Sequence, residues 1–448
     1  MAHKVIAVAM WMIVWWITET VSISVTALIP LLIFPLAGIM DIKATSAFYG
    51  NHIIYLFFGG FVMALALEKV NLHKRIALNI IKRTGTAPDR VILGFIISTA
   101  VLSMWISNTA STIVMLPIAL QVIRLLIEDE DGFSSKDKNF ALSIMLSIAF
   151  AANIGGISTI IGTPPNVILL GILESEYGIQ ISFAKWMLMG VPFAILLLGI
   201  MYLVIVKWIY PSKLQSMNNA EESIDAELEK LGPVSNKERV VLAVFGITIL
   251  LWIGRMYINN MIPGLNLTDT SISIIGAMAM FCISLNYRKG EFILEWEDTT
   301  RLPWGILILF GGGLALASAL SEAGLIDLIG NAVSQNNNLP IFLITAFLIT
   351  IMLFMTELMS NVALVAIFVP VVAGIADGLG VSILHMCIPV AMASSCAFML
   401  PMATPPNAIV FASGHIKVFQ MARVGVILNI LAVCLLLVFT KMIIPIIF

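Results

Sequence analysis

Charge is scarce in this sequence. Only 11% of its 448 residues are charged, whereas 60% are hydrophobic. A soluble domain of this length could not bury so much apolar surface. Apolar segments such as 189–206 and 424–439 run nearly unbroken, unlike the alternating strands of a β-barrel. The composition therefore predicts an all-α polytopic membrane protein that has the lipid bilayer as a partner.

The groups that enzymes use are also few and scattered. The four cysteines occur singly in apolar segments, and the five histidines show no metal-ligand spacing. No Ser–His pair, Asp pair or metal-ligand set occurs at plausible spacing, and no basic run indicates nucleic acid. We therefore expect no enzyme and no organic cofactor. The glycines at 59–60 and 311–313 resemble nucleotide loops only superficially, and we expect them to pack helices closely.

One polar pattern occurs twice, with its parts in the same order. The first copy is Ser107-Asn108-Thr109 followed by Thr163-Pro164-Pro165-Asn166, and the second is Ser360-Asn361-Val362 followed by Thr404-Pro405-Pro406-Asn407. A single copy would be ordinary helix packing or a kink. Polar side chains and paired prolines are costly in hydrocarbon unless they line a protected cavity. Two ordered copies therefore predict one binding site, built from two halves of a transporter with an internal repeat.

The topology depends on whether regions 91–123 and 340–376 cross the membrane or return as re-entrant hairpins. With hairpins, one side of the membrane holds 19 of the 24 Lys and Arg residues, and segment 322–340 on the other side holds none. This favours an inverted repeat of two five-helix halves, each with a re-entrant hairpin and a broken helix. It also places both termini outside, from which we expect a further span before residue 1.

The hairpins and the broken helices at 139–172 and 382–414 contain no Lys or Arg. A bound anion must then be stabilised by helix N-termini, hydroxyls, amides and co-bound cations. Each hydrogen bond to a charged group contributes about 1.5–3 kcal/mol, so several could hold a small carboxylate. Glu19 and Glu357 are intramembrane acids and further functional candidates. For Glu357, a structural pairing with hairpin backbone is equally expected.

These motifs together resemble the divalent anion/sodium symporter (DASS) family over essentially the whole chain. Further matching segments are Trp16-Ile17-Thr18-Glu19, Thr26-Ala27-Leu28-Ile29-Pro30, and Pro303-Trp304-Gly305 leading into Phe310-Gly311-Gly312-Gly313. The resemblance implies a homodimeric, elevator-type secondary transporter of the cytoplasmic membrane that moves C4–C5 dicarboxylates such as succinate, malate or 2-oxoglutarate. Sodium symport and sodium-independent exchange both remain open. Citrate or another tricarboxylate is an alternative substrate, and an anion channel is a weaker alternative function.

The resemblance also implies a division into scaffold and transport parts, with amphipathic arm helices near 70–83 and 322–334. The scaffold parts would be residues 1–90 and 239–338, the transport parts 91–210 and 339–448, and a cytoplasmic linker would occupy 211–238.

Site residues follow from the family pattern position by position. The substrate contacts would be Ser107, Asn108, Thr109, Thr163, Pro164, Ser360, Asn361, Val362, Thr404 and Pro405. One sodium site would use Ser103, Ser107, Asn108 and the Gly162 carbonyl, and the other would use Thr356, the Met359 carbonyl, Asn361 and the Ala403 carbonyl. Val362 departs from the Thr usual in the family and removes one hydroxyl, which leaves the substrate preference open.

Overall fold

The computed structural model of the protein describes residues 1–127, 135–211, 214, 218–286, 291–335 and 340–448. The charged segment 128–138 lies mostly outside these residues. The first half comprises α1 (Ala2–Thr18), α2 (Ile23–Thr26), α3 (Ile29–Ala37), α4 (Ile42–Tyr49), α5 (His52–Lys69), α6 (Leu72–Thr84), α7 (Pro88–Ser103), α8 (Asn108–Ile127), α9 (Ser135–Ile157), α10 (Pro164–Tyr177) and α11 (Phe183–Tyr202), which a π-helical stretch (Leu203–Ile209) extends.

A linker helix, α12 (Asn218–Leu231), precedes the second half. The second half comprises α13 (Asn236–Met261), α14 (Asp269–Cys282), the strands β1 (Ser284–Asn286) and β2 (Glu291–Phe292), a 3-10 helix (Trp296–Arg301), α15 (Trp304–Glu322), α16 (Leu325–Gln335), α17 (Ile341–Met355), α18 (Asn361–Gly378), α19 (Ile383–Ala393), α20 (Pro405–Ala412), α21 (Val418–Met442) and α22 (Ile444–Ile447). The two strands pair antiparallel.

The described residues contain seven helices that are long and apolar enough to cross a membrane. They are Ile42–Lys69, Asp137–Ile157, Phe183–Ile209, Asn236–Met261, Trp304–Glu322, Asn361–Gly378 and Val418–Ile447. Five shorter apolar helices accompany them. The long helices differ in burial, because α9 is enclosed by protein whereas α13 exposes Leu242, Leu250 and Tyr257. This almost entirely helical architecture agrees with the expected membrane class.

Two apolar segments are not single continuous helices. The segment 22–38 is divided into α2 and α3, because the chain turns at Ala27 and Leu28. In the segment 271–287 the helix ends at Cys282, and β1 follows it. The predicted linker at 211–238 contains the helix α12, and 212–213 and 215–217 lie outside the described residues.

The interrupted regions bring the two halves together. Helix α9 ends at Ile157 and the chain resumes helical structure at Pro164, where the missing N–H of proline is tolerated in the first helical turn. The same break separates α19 from α20, which begins at Pro405. Helix α20 packs against α8 and α9, and α10 packs against α18 and α19. The broken helix of each half therefore packs against the other half.

The linker helix α12 holds the basic helix α6 through ion pairs. Lys74 and Lys82 contact Glu227 and Asp225 at 2.7 and 2.5 Å. Hydrogen bonds from Lys230 and Lys74 lower the pKa of Glu227. Helix α6 thus lies where the sequence predicts an amphipathic arm, and charged contacts fix one of its faces.

Glycines of α5 and α15 permit very close packing, as the sequence predicts. A Cβ on Gly59 would lie 2.2 Å from the Ser273 hydroxyl. A Cβ on Gly312 would lie 2.4 Å from the carbonyl oxygen of Ala27, at the end of α2. Since a backbone atom cannot rotate away as a side chain can, Gly312 fixes the distance between α15 and the turn after α2.

We therefore expect Gly312→Ala to lower the melting temperature of the purified protein in detergent. Overpacking of this kind costs about 1–3 kcal/mol, which exceeds the ~0.5–1 kcal/mol that Ala gains over Gly in a helix. Gly246→Ala in α13 is the matched control, because nothing lies within 4 Å of its added Cβ. Equal melting temperatures for the two variants would contradict the packing interpretation.

Candidate functional site

A cavity of about 690 Å³ lies where the N-terminal ends of α8, α10, α18 and α20 meet. All ten residues expected to contact substrate line this cavity: Ser107, Asn108, Thr109, Thr163, Pro164, Ser360, Asn361, Val362, Thr404 and Pro405. Other lining residues are Thr18, Glu19, Phe57, Phe61 and Ile306. The repeated motifs of both halves therefore surround one cavity.

Backbone N–H groups are available at α8 and α18, which begin at Asn108 and Asn361. The first N–H groups of a helix have no intrahelical partner and carry the positive end of its dipole. The Ser107 hydroxyl accepts a hydrogen bond from the Ala110 N–H at 3.1 Å, whereas Ser360 caps α18 without a side-chain bond. These two ends can attract an anion.

The ends of α10 and α20 differ from the expected free N-termini. Their first two residues are prolines, which have no N–H to donate. The Asn407 N–H is also taken, since it donates to the Thr404 hydroxyl at 3.4 Å. These ends therefore supply a helix dipole and the hydroxyls of Thr163 and Thr404, but few backbone donors.

The asparagines that follow the paired prolines hold the interrupted stretches in place. The Asn166 amide donates to the carbonyls of Gly156 and Thr159 at 3.3 and 2.8 Å. The Asn407 amide donates to the carbonyls of Ala397 and Leu400, both at 3.1 Å. Both side chains are fully buried, so these bonds satisfy backbone carbonyls that a broken helix would leave unpaired.

Three oxygen atoms of the first half form a tight cluster. The Ser103 hydroxyl lies 2.6 Å from the Asn108 amide oxygen and 2.7 Å from the Ala152 carbonyl oxygen. A hydroxyl has one hydrogen, so it cannot donate to both at once. The cluster therefore holds more acceptors than hydrogens, which suits a small hard cation.

The second half repeats this cluster. The Thr356 hydroxyl lies 2.7 Å from both the Asn361 amide oxygen and the Ser394 carbonyl oxygen. Among the residues expected to bind sodium, Ser107, Asn108, Gly162, Met359, Asn361 and Ala403 line the cavity. Ser103 and Thr356 lie behind it and are fully buried. The carbonyls of Ala152 and Ser394 were not identified from the sequence, because a backbone carbonyl leaves no residue-type signal.

Glu357 has a structural arrangement that the sequence only partly predicts. Its carboxylate accepts hydrogen bonds from the N–H groups of Phe398, Met399 and Leu400 at 2.8–3.1 Å, and from the Asn429 amide at 2.8 Å. Its backbone partners therefore lie in the stretch after α19, and not in the hairpin as expected. Met104 stands at the corresponding position of the first half.

The described residues that line the cavity include almost no charged side chains. Among the described residues that line it, Glu19 is the one ionisable group. Glu19 ends α1 in a left-handed conformation with φ of 46°. No described lining residue is Lys, Arg or His, so helix dipoles, amides and hydroxyls must bind an anion there.

Comparisons with known proteins agree with this architecture. The family model described as "Sodium:sulfate symporter transmembrane region" matches residues 1–448. A protein of Staphylococcus saprophyticus named sodium-dependent dicarboxylate transporter SdcS is 39% identical over 450 residues, which cover 98% of this chain and 86% of that protein. The SdcS protein of Staphylococcus aureus strain USA300 is also 39% identical, over 99% of this chain and 86% of its own length.

Two solved structures share the fold at low sequence identity. The YdaH transporter of Alcanivorax borkumensis has a TM-score of 0.61 and 13% identity, and the match covers 90% of this chain and 87% of YdaH. MtrF of Neisseria gonorrhoeae has a TM-score of 0.62 and 12% identity, with 91% of this chain and 83% of MtrF covered. Both neighbours are membrane transport proteins, and at this identity they show the fold alone.

The match of the family model to the whole chain and the identity to SdcS agree with the motifs that surround the cavity. The chain is a multi-pass cell-membrane protein that belongs to the sodium:sulfate symporter transmembrane family, the divalent anion/sodium symporters.

Proposed function

We propose that the protein is a secondary active transporter that carries C4–C5 dicarboxylates together with sodium ions. The observation that carries this proposal is the twofold character of the cavity. Each half contributes one Ser-Asn helix end and one threonine hydroxyl, which is a set of donors suited to one carboxylate. Two such sets match a ligand with two carboxylates. The SdcS relatives, whose names state dicarboxylate transport, support this choice over sulfate.

Sodium coupling is supported by the two oxygen clusters around Ser103 and Thr356. Each cluster joins an amide oxygen, a hydroxyl and a carbonyl within 2.7 Å, which are neutral ligands of the kind that hard cations accept. The amides of Asn108 and Asn361 reach from the clusters to the cavity. A bound sodium ion would therefore offset the negative charge of a dicarboxylate at short range.

We further propose a homodimer in which the transport parts (91–210 and 339–448) move against the scaffold parts (1–90 and 239–338) as an elevator. The distribution of the lining residues supports this division. The cavity is lined by the motif residues of the transport parts together with scaffold residues such as Phe57, Phe61 and Ile306. A site at the boundary of two parts can be carried across the membrane if they slide past each other. Inversion of the two halves belongs to the same proposal.

The test is uptake of labelled succinate and 2-oxoglutarate into proteoliposomes, with and without a sodium gradient and with and without internal dicarboxylate. We expect uptake that requires the sodium gradient and not the internal substrate. Uptake that requires only internal dicarboxylate would replace symport by exchange. Transport of sulfate or citrate alone would overturn the dicarboxylate assignment, and unitary currents in a bilayer would indicate a channel.

We expect Asn108→Ala and Asn361→Ala each to abolish uptake, because each removes an amide shared by an oxygen cluster and the cavity wall. Both variants should fold, which size-exclusion elution in detergent can check. Asn79→Ala is the matched control. This asparagine lies on α6, away from the cavity, and its amide donates to the Arg75 carbonyl, its one side-chain hydrogen bond among the described residues. Normal uptake by both site variants would show that the two-half site is wrong.

The cation ligands predict a separate effect. Ser103→Ala and Thr356→Val should raise the sodium concentration that gives half-maximal uptake by about tenfold, because loss of one ligand costs ~1.4 kcal/mol. The KM for succinate at saturating sodium should change much less. Thr99→Val on α7 is the control, since its buried hydroxyl donates to the Phe95 carbonyl within the helix. Equal changes in sodium and succinate dependence would contradict a specific cation role.

A further inference from the structure

Asn153 is a cavity residue outside the repeated motifs. It lies on α9 close to the break after Ile157 and is 1% exposed. It also lines the cavity and contacts Thr404, the threonine that follows the second break. A single asparagine on a buried apolar helix usually serves packing or helix contacts, so its hydrogen bonds decide whether it does more.

The orientation of the Asn153 amide is fixed by its surroundings. Its nitrogen lies 3.3 Å from the Ala397 carbonyl oxygen, 3.3 Å from the Asn407 amide oxygen and 3.0 Å from the Thr404 hydroxyl. The first two atoms can only accept, since the Asn407 nitrogen is used on the carbonyls of Ala397 and Leu400. The NH₂ group of Asn153 must therefore face Thr404.

This contact determines what the Thr404 hydroxyl can do. The NH₂ group has two hydrogens for these three acceptors, and the Thr404 oxygen is the nearest of them at 3.0 Å, so one hydrogen is assigned to it. Because an amide nitrogen accepts no hydrogen bond, the Thr404 oxygen is the acceptor in this contact. The same oxygen also accepts from the Asn407 N–H at 3.4 Å. With both lone pairs used, the hydroxyl can only donate its single hydrogen, and this hydrogen has no acceptor among the described residues. Because Thr404 lines the cavity, its hydroxyl is available there as a donor, which suits a carboxylate oxygen.

The first half has no corresponding arrangement of an amide and a threonine hydroxyl among the described residues. Thr163 caps α10 without a side-chain bond, so its hydroxyl can either donate or accept. The two threonines are 241 residues apart and the cluster carbonyls of Ala152 and Ser394 are 242 apart, so Asn153 corresponds to Ser394 or Ser395 in the second half. The Ser394 hydroxyl donates instead to the Ala391 carbonyl at 2.7 Å. The second half therefore has a fixed hydroxyl donor, and it is also the half in which Val362 has lost one.

Packing alone does not account for an asparagine here. The Asn153 amide oxygen is buried and has no hydrogen-bond partner among the described residues. An unpaired buried polar atom is destabilising, and an apolar side chain of the same size would avoid it. Such exceptions in native proteins concentrate at functional sites.

We propose that Asn153 is a positioning residue that holds the Thr404 hydroxyl as a donor to one carboxylate of the transported anion. It thereby makes up for the hydroxyl that the second Ser-Asn motif lacks at Val362. This inference rests on the proposed dicarboxylate transport. In this arrangement the two carboxylates of the ligand have different partners. One of them accepts a hydrogen bond from a hydroxyl whose direction a neighbouring amide fixes.

The test is a double-mutant cycle on succinate uptake in proteoliposomes, with KM and maximal rate measured at saturating sodium. Asn153→Leu should raise the KM about tenfold and leave the half-saturating sodium concentration within twofold of its original value. Thr404→Val should raise the KM by at least as much. In the Thr404→Val background, Asn153→Leu should have little further effect, because its influence passes through the lost hydroxyl. Val362→Thr should lower the KM more in the Asn153→Leu background than in the unaltered protein.

Ser147→Ala is the matched control. It also removes from α9 a buried oxygen without a hydrogen-bond partner among the described residues, here a hydroxyl, at a position that does not line the cavity. Its KM should not change. An unchanged KM for Asn153→Leu, additive effects with Thr404→Val, or a fall in maximal rate alone would overturn the positioning role. These outcomes differ from failure of the proposed function, in which the unaltered protein itself takes up no dicarboxylate.

Discussion

The arrangement of the site depends on how the ends of interrupted helices are satisfied inside an apolar protein. A helix that stops in the interior leaves N–H and carbonyl groups without partners, and each costs about 1–3 kcal/mol if nothing replaces the missing bond. Asn166 and Asn407 return two hydrogen bonds each to the carbonyls of the stretches before them. At the start of α8 the Ser107 hydroxyl replaces one missing bond, that of the Ala110 N–H, whereas Ser360 makes no side-chain bond at the start of α18, and both starts line the cavity. The polar lining of the cavity thus includes helix-end groups that make no hydrogen bond among the described residues and are available to a ligand.

The two halves meet this requirement by different means. Glu357 gathers three consecutive N–H groups of the stretch after α19 with one carboxylate. Its counterpart Met104 offers only its carbonyl, which accepts from the Thr159 hydroxyl at 2.5 Å. The stretch after α19 is therefore held in place by an acidic side chain, and the stretch after α9 by neutral groups. A site assembled from such halves is symmetric in outline and unequal in its bonds, so the two ends of a ligand meet different surroundings.

This inequality also explains how far the sequence could predict the site. The Ser-Asn and Pro-Pro motifs are local and repeated, so the sequence was enough to predict that they share one site. Asn153 is not repeated, because Ser394 or Ser395 stands in its place, and nothing in its neighbourhood distinguishes it from an ordinary polar residue of a membrane helix. The carbonyls of Ala152 and Ser394 carry no residue-type signal at all. These contributions arise only when α9 packs against α20 and the two halves interlock.

Limits of the same kind apply to the fold. Long apolar segments predict helices well, but a uniformly apolar run has no period that reveals an internal turn. The division between α2 and α3 has a different cause, because Pro30 in the first turn of α3 is a helix-start signal in the sequence that our prediction did not use. Ala27 at that turn sets the approach of α15 through Gly312. The short strands β1 and β2 were missed because three residues beside an apolar helix show no alternation.

In the proposed function, the asparagines of the Ser-Asn motifs would connect cation and anion binding through a single group. The oxygen of Asn108 belongs to the cluster with Ser103 and Ala152, and its NH₂ group has no acceptor among the described residues. A cation held by that oxygen polarises the amide and makes its N–H groups stronger donors toward the cavity. An anion bound to the N–H groups makes the oxygen a better ligand in return. Linkage requires these two effects to be equal, so each ion would raise the affinity for the other without any charged side chain between them. The same geometry recurs at Asn361 and Thr356, so both halves would contribute to such coupling.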